Sequence, residues 1–432
     1  MRTFFVHNFG CRASQADGVA IEALLSESGL AAAPRRADAD LVVLNTCTVT
    51  GAADDDVRQT VRRVNRENDS ARILVTGCYA QRAPEELAEL PGVAWVVGNS
   101  HKSQIADLIS NAEYHGQIHV DDVFAPHDFL SAAATDAAGR HTRPNLKIQD
   151  GCNSRCSFCI IPSVRGASRS APLERVVEQV RELSLRHREI VLTGINLGRW
   201  GRESGARLAD LLRTILRETG IERLRLSSVE PMDFSDDLLS LMASSRIAKH
   251  VHAPLQSGSD AVLRRMRRKY RTRHYSGRIQ MARSLMPDAA IGADVMVGFP
   301  GETDQEFEQS RTFIESLPFT YLHVFTYSER PGTPAADTPD QVPMAIRRER
   351  NRILRELAEA KNLAFRRRMV GAKLKVVTIN PPGTAITENY LNVKLARPEP
   401  PNRVLEIEIG SVTEDGLREV TAPAALRVLS TS

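Results

Sequence analysis

The sequence predicts an α/β fold in three parts: an open parallel α/β domain, a partial (β/α)6 barrel and a small all-β barrel. Short apolar runs alternate with helix-length stretches through most of the 432 residues, the pattern of a parallel sheet with crossover helices. The middle of the chain repeats a strand–helix unit six times, short of a closed eight-unit barrel. After a long charged helix the pattern changes to alternating, β-branched segments parted by Pro and Gly.

The first part, residues 1–125, is Rossmann-like. Its strands are "TFFVHNFGC", "DLVVLNTC" and "RILVTGC", with helices expected over 16–27 and 55–68. Each apolar run ends within a few residues of a cysteine: Cys11, Cys47 and Cys78. Ligands of open parallel sheets sit at the strand carboxyl ends, so three cysteines far apart in sequence are expected at one edge. The plainer alternative is three buried small residues, since free cysteine is often buried. Residues 126–143 are small, polar and aperiodic, and read as a linker.

In the second part, residues 144–368, the strands are "NLKIQDGC", "EIVLTGINLG", "RLRLSSVEP", "HVHAPLQSG", "AIGADVMVGFP" and "YLHVFTYSERPG". The clearest helices are expected over 173–188, 208–219, 259–268 and 304–316. A barrel of this kind carries its site at the strand carboxyl ends. A charged helix over 343–369, with Leu354, Leu357, Ala360 and Leu363 at helical spacing, leads into the third part. There, in residues 369–432, "KLKVVTI", "YLNVKLA" and "VLEIEIGSV" read as strands of a small barrel.

Composition excludes little. The net charge of +4 neither demands nor forbids a nucleic-acid partner, so local clusters carry the argument. The start has no apolar segment of signal-peptide type, and no run approaches a membrane span; a cytoplasmic protein is expected, with no membrane partner. In that compartment six cysteines point to metal ligands or reactive thiols rather than disulfides.

"CNSRCSFC" places Cys152, Cys156 and Cys159 directly after the first barrel strand, at its working end. Zinc motifs use paired cysteines or Cys/His pairs, and no second pair follows. His250 or His252 could still supply a fourth zinc ligand from another strand. A cubane [4Fe–4S] cluster offers the other reading: three thiolates leave one iron open for substrate or cofactor.

C-x3-C-x-aromatic-C after the first strand of a partial β/α barrel resembles the radical S-adenosylmethionine (SAM) superfamily, with Phe158 at the aromatic position among the cofactor-binding residues. The resemblance implies that the amino and carboxylate groups of SAM ligate the open iron. An electron from the cluster then cleaves the sulfonium to a 5′-deoxyadenosyl radical. Single cysteines in "FGCRASQ", "NTCTVT" and "VTGCYAQR", followed by this motif and a terminal β-domain, resemble the methylthiotransferases over almost the whole chain. That family implies a second [4Fe–4S] cluster on Cys11, Cys47 and Cys78 that delivers sulfur, a second SAM as methyl donor, and a TRAM domain, an OB-like RNA-binding barrel. The implied partners are a tRNA anticodon stem-loop, an electron-donor protein and a sulfur source.

"LTGINLGRWG", "LRLSSVEP" and "YSERPGTPA" resemble the branch acting on threonylcarbamoyladenosine beside the anticodon. The alternatives are the isopentenyladenosine branch and the branch that modifies an aspartate of a ribosomal protein. A non-enzymatic RNA-binding sensor holding zinc or iron–sulfur is the reading from another class. The chain departs from the family at Ser14, where Asn is usual, and at Ser163, where Tyr is common.

Gly194 and Asn196 end the second barrel strand, where the resemblance places the methionine end of SAM; otherwise they form an ordinary βα turn. Glu230 ends the third and could accept from ribose hydroxyls, as acidic residues do in dinucleotide sites, or be a surface carboxylate. His252 and Gln256 end the fourth, facing either cavity or core. "RRMRRKYRTRHY" carries seven Arg and Lys over 264–275 and reads as a phosphate contact or a solvated helix face. "RRRMVGAKLKV" is a second basic cluster, and Tyr390 is either a base-stacking or a packing residue.

Overall fold

The structure is a computed structural model and describes residues 1–110, 117–125, 130 and 142–421. Most of the expected linker, residues 126–143, lies outside the described residues. Six strands, β1 (Thr3–Asn8), β2 (Ala31–Ala32), β3 (Leu41–Thr46), β4 (Arg72–Gly77), β5 (Val93–Val97) and β6 (Gln117–His119), form a parallel sheet ordered β2-β1-β3-β4-β5-β6. Every residue of β3 is buried, which is why "LVVLNT" reads as a continuous apolar run: both faces carry a core. The short, buried β5 and the three-residue edge strand β6 were not among the expected strands.

The helix after β1 spans Arg12–Glu27, starting four residues before the expected Ala16. Its first turn is small and polar, so no apolar period marks it, yet Ser14 and Asp17 are each 1% exposed. The next helix, Gly51–Glu67, begins where Thr50 Oγ1 accepts from Ala53 N at 3.2 Å. Gly77 closes β4 at φ +99°; a Cβ there would lie 2.5 Å from Thr46 O, so only glycine lets the chain turn into Cys78.

The middle of the chain forms two sheets facing one lumen. β7 (Asn145–Asp150), β9 (Glu189–Gly194) and β10 (Arg223–Leu226) are parallel, with the two-residue β8 (Arg169–Ser170) antiparallel at the edge. β11 (His250–His252), β12 (Ala290–Val297) and β13 (Tyr321–Thr326) form the second sheet, and a bridge between Leu224 and Ile247 joins the two. These six parallel strands make the incomplete barrel. Leu146, Ile190, Leu224, Val251, Ile291 and Val295 point outward into one core beneath the helices. Their neighbours Glu189, Arg223, Arg225, His250, His252 and Asp294 therefore point into the lumen.

Helix Met344–Arg368 then leads to β14 (Lys373–Ile379), β15 (Thr384–Thr387), β16 (Asn392–Lys394), β17 (Val404–Val412) and β18 (Leu417–Glu419), closed as β14-β15-β16-β18-β17. Phe365 and Met369 from the helix enter this barrel's core. Arg366 of the second basic cluster donates to Thr413 O and Glu414 O, so part of that cluster pins helix to barrel.

The small barrel also floors the lumen. Arg223 and Arg225 donate to the carbonyls of Lys375, Ile386, Thr387 and Glu388. Tyr390 lies against His250, Tyr321 and Arg225, and its hydroxyl accepts from Arg12 at 2.7 Å. Tyr390 is thus a packing residue of the floor, not a free stacking surface. The run over 264–275 turns between helices Asp260–Arg265 and Thr272–Leu285; it buries Arg268, Tyr270 and Tyr275 while Arg264, Arg265, Arg267, Lys269 and Arg273 stay exposed.

Candidate active site

The loop "CNSRCSFC" is held by its backbone. Cys152 N donates to Gly166 O, Ser157 N to Met266 O, and Ala335 N to Ser157 O. Its sulfurs are held as acceptors: Cys152 Sγ from Asn196 Nδ2 at 3.5 Å, and Cys156 Sγ from Arg268 Nη1 at 3.2 Å. Burial raises the Cys156 thiol and pushes Cys159 up to about 12. Metal ligation replaces the proton of a thiol with a cation, which offsets such a cost of burial.

Cys11, Cys47 and Cys78 follow the ends of β1, β3 and β4, adjacent strands whose register brings their carboxyl ends to one sheet edge. Burial first, then the nearby Cys78, pushes Cys47 up to about 12. Gly10, at φ +83°, is a cradle: a Cβ there would lie 2.9 Å from Cys47 Sγ. Among the described residues, neither trio gathers its sulfurs within 4.8 Å of one another, as a mononuclear site requires. A single zinc with bonds of about 2.3 Å would draw them closer than that.

A cavity of about 260 Å³ beside the loop is lined by Asn153, Ser154, Ser168, Asn196, Arg199, Arg202, Glu203 and Lys269. A smaller adjoining one brings Cys156, Asn196, Glu230 and Arg268 together. Glu230 is paired with Arg268 rather than left as a lone surface carboxylate. Asn196 N donates to Gln149 Oε1 at 2.6 Å, while its buried Oδ1 has no hydrogen-bond partner among the described residues. Gly194 lies behind this loop, where a Cβ would meet Gln149 at 2.9 Å. Phe158 packs edge-on to Phe299, with ring centroids 6.4 Å apart. Neither Gly194 nor Phe158 is among the residues lining the two cavities.

Deeper in the lumen, His252, Asp294 and His323 converge from β11, β12 and β13. His323 Nδ1 is 3.2 Å and His252 Nε2 3.4 Å from Asp294 Oδ1, and His252 Nδ1 meets Ser228 Oγ at 2.6 Å. Burial pushes the Asp294 carboxyl up, but the two imidazoles override it and hold the group well below the usual range. His250 instead meets Tyr321 Oη at 2.7 Å. Both histidines are thus engaged with partners in the lumen. Met296, two residues beyond Asp294 on the same face, and Phe158 of the cysteine loop both pack against the cluster of Val262, Met266, Phe299, Tyr327 and Ala335, so the node and the loop share one neighbourhood.

Residues 3–98 match the Uncharacterized protein family UPF0004, and residues 146–314 match the Radical SAM superfamily. The threonylcarbamoyladenosine tRNA methylthiotransferase MtaB of Aquifex aeolicus is 37% identical over 391 residues, covering 89% of this chain and 94% of the relative. That of Bacillus subtilis is 39% identical, covering 81% and 79%.

The chain belongs to the radical SAM methylthiotransferase family.

A tRNA-2-methylthio-N(6)-dimethylallyladenosine synthase of Mycobacteroides abscessus, 35% identical over 87% of this chain and 77% of its own length, belongs beside it. Among solved structures, the radical SAM methyltransferase TsrM of Kitasatospora setae aligns with a TM-score of 0.56 at 17% identity, covering 78% of this chain and 77% of that one, which is a likeness of fold. Membership implies one [4Fe–4S] cluster with SAM. No helix among the described residues is long and apolar enough to cross a membrane.

Sequence reasoning about this methylthiotransferase missed the buried charges between the two trios. Arg165, in "IIPSVRG", drew no notice beside Ser163, yet it is 1% exposed and donates from Nε to Cys78 Sγ at 3.2 Å. Asp17, Lys102, Lys147 and Asp150 complete that network from three further elements. An Arg-Gly pair shortly after the last cysteine was the available signal; Asp17 and Lys102 gave none.

Proposed function

We propose that the protein attaches a methylthio group to the threonylcarbamoyl-modified adenosine beside the anticodon of tRNA. Relatives named for threonylcarbamoyladenosine and for dimethylallyladenosine are about equally similar, so identity does not choose between them. The lumen supports the choice. Below the cysteine loop it presents His252, Asp294, His323 and Tyr321, over a floor of His250, Tyr390, Arg12 and Arg225. A threonylcarbamoyl group brings a urea, a hydroxyl and a carboxylate, each with a partner here. A dimethylallyl group carries none of these polar atoms and would set apolar surface against the polar lining.

In this reading Cys152, Cys156 and Cys159 hold the SAM-binding [4Fe–4S] cluster and Cys11, Cys47 and Cys78 an auxiliary one. When bound, these groups supply the radical, the sulfur and the methyl group. Asn196 and Glu230 orient SAM from the cavity they share with Cys156, and Gly194 lets their loop pack on Gln149. Phe158 shields the radical site as part of an aromatic wall. Residues 1–125 carry the auxiliary cluster, 144–368 the radical SAM barrel, and 369–432 a TRAM domain that binds the anticodon stem-loop. An electron-donor protein and a sulfur source complete the partners, in the cytoplasm.

The test is nucleoside mass spectrometry of tRNA from a strain lacking the gene. Loss of 2-methylthio-threonylcarbamoyladenosine, restored by the wild-type gene, is expected; an unchanged level would reject the substrate.

A further inference from the structure

Arg165 lies at the junction of the two cysteine trios. Its helix, Ile161–Arg165, begins two residues after Cys159, and Ile160 and Val164 pack against Cys78. The guanidinium is spent in three directions: Nη1 donates to Asp150 Oδ1 at 3.0 Å, Nη2 to Asp17 Oδ2 at 3.1 Å and Ser14 Oγ at 3.4 Å, and Nε to Cys78 Sγ at 3.2 Å. Ser14 Oγ in turn lies 3.7 Å from Cys11 Sγ. One fully buried cation therefore reaches two cysteines of the auxiliary trio, one directly and one through a hydroxyl.

The two carboxylates do not absorb this charge. Asp17 is shared by Lys102, Lys147 and Arg165, and Asp150 by Lys147, Arg165 and Arg169. A buried guanidinium aimed at sulfur needs a diffuse negative charge beside it. Three thiolates around a cubane supply one, and N–H···S bonds with nearby charge set such a cluster's potential.

We propose that Arg165 is the positioning and tuning residue of the auxiliary cluster: it locks the Cys78 side of that site onto the segment that follows Cys159, and its charge raises the cluster's reduction potential. The proposal rests on the reading of Cys11, Cys47 and Cys78 as cluster ligands. One-electron reduction adds a negative charge without making or breaking a bond, and Arg165 favours the more negative member of that couple. Asp17 works in the opposite sense, since it offsets the same cation.

The test uses the full chain with Cys152, Cys156 and Cys159 all replaced by Ala, anaerobically reconstituted, so that only the auxiliary cluster reports. Electron paramagnetic resonance follows a redox titration. Arg165→Met should lower the ratio of reduced to oxidised cluster at a fixed potential about tenfold, 59 mV for one electron. Arg165→Lys should stay nearer the parent, and Asp17→Asn should move the ratio upward. Opposite signs for the two neutralised charges are not a result of general loosening. Equal potentials in all variants, with iron retained, would overturn the proposal. If Arg165→Met does not fold, Asp17→Asn decides: a rise supports the role and an unmoved potential overturns it. A parent that takes up no iron rejects the cluster reading itself, and the proposal with it.

Discussion

Arg268 and Cys156 are joined by an N–H···S hydrogen bond of 3.2 Å, while the second arm of the same guanidinium holds Glu230. The pair ties a sulfur of the loop to the carboxylate that shares its cavity. Lysine cannot serve two such partners from one planar fork. Arg268→Lys should slow reductive cleavage of SAM about tenfold, roughly 1.4 kcal/mol in the barrier. The assay is 5′-deoxyadenosine formed per minute with excess reductant; an undiminished rate would count against the tie.

Asn196 brings a buried, unpartnered Oδ1 to the cavity and steadies Cys152 with its amide. An ammonium or hydroxyl donor of the cofactor would pair with that oxygen. Asn196→Ala should weaken SAM binding about tenfold, within the range for a hydrogen bond to a charged group. Calorimetric titration of reconstituted protein measures it.

Glu189 anchors the lumen floor: fully buried, it pairs with Arg143, Arg223 and Arg225. Burial pushes its carboxyl up, but the three arginines override that and hold it well below the usual range. A depressed folded value means stabilisation that is present above the unfolded value of about 4.3 and lost as pH falls through the folded one. Glu189→Gln, which strands three cations, should cost about 3–5 kcal/mol. In thermal melts the gap to wild type should hold from about pH 8 to pH 5 and narrow below about pH 4.

Much of this was legible beforehand, for physical reasons. β3 and β4 are buried on both faces, so their apolar runs and the cysteines after them stood out. Helix Asp304–Ser316 matched its expected bounds because Thr303 and Glu306 form a capping box that fixes its start. The buried ion network was not legible. Asp17, Lys102, Lys147 and Arg165 lie on four elements, and each reads locally as a surface charge. The lumen node escaped for the same reason: His252, Asp294 and His323 come from three strands, and only strand register aligns them.

That node yields a specificity prediction. His323, 54% exposed, is the member most accessible from the lumen. His323→Leu should reduce kcat/KM on a stem-loop carrying threonylcarbamoyladenosine about tenfold or more, while leaving SAM cleavage without RNA unchanged. Methylthio product on paired threonylcarbamoyl and isopentenyl stem-loops is the measurement. An equal fall on both would place His323 outside side-group reading.

The separate roles of the trios can be divided by one substitution. Cys47→Ala should lower bound iron from about eight per chain to about four, the difference of one cubane. 5′-Deoxyadenosine formation should persist while methylthio product disappears. Loss of both would argue that the two clusters act as one.

The floor of the lumen carries a last consequence. Because Tyr390, Arg225 and the carbonyls of the small barrel close the strand amino-terminal end, nothing enters the chamber from below. What stays open is the cysteine-loop end and the flank where six strands fail to close on themselves, along β13 with its exposed His323 and Phe325. A base to be modified must leave its stack to reach in. The small barrel is thus both a wall of the reaction chamber and a separate fold, and a substitution at its contact with Arg225 would be felt by chemistry it never touches.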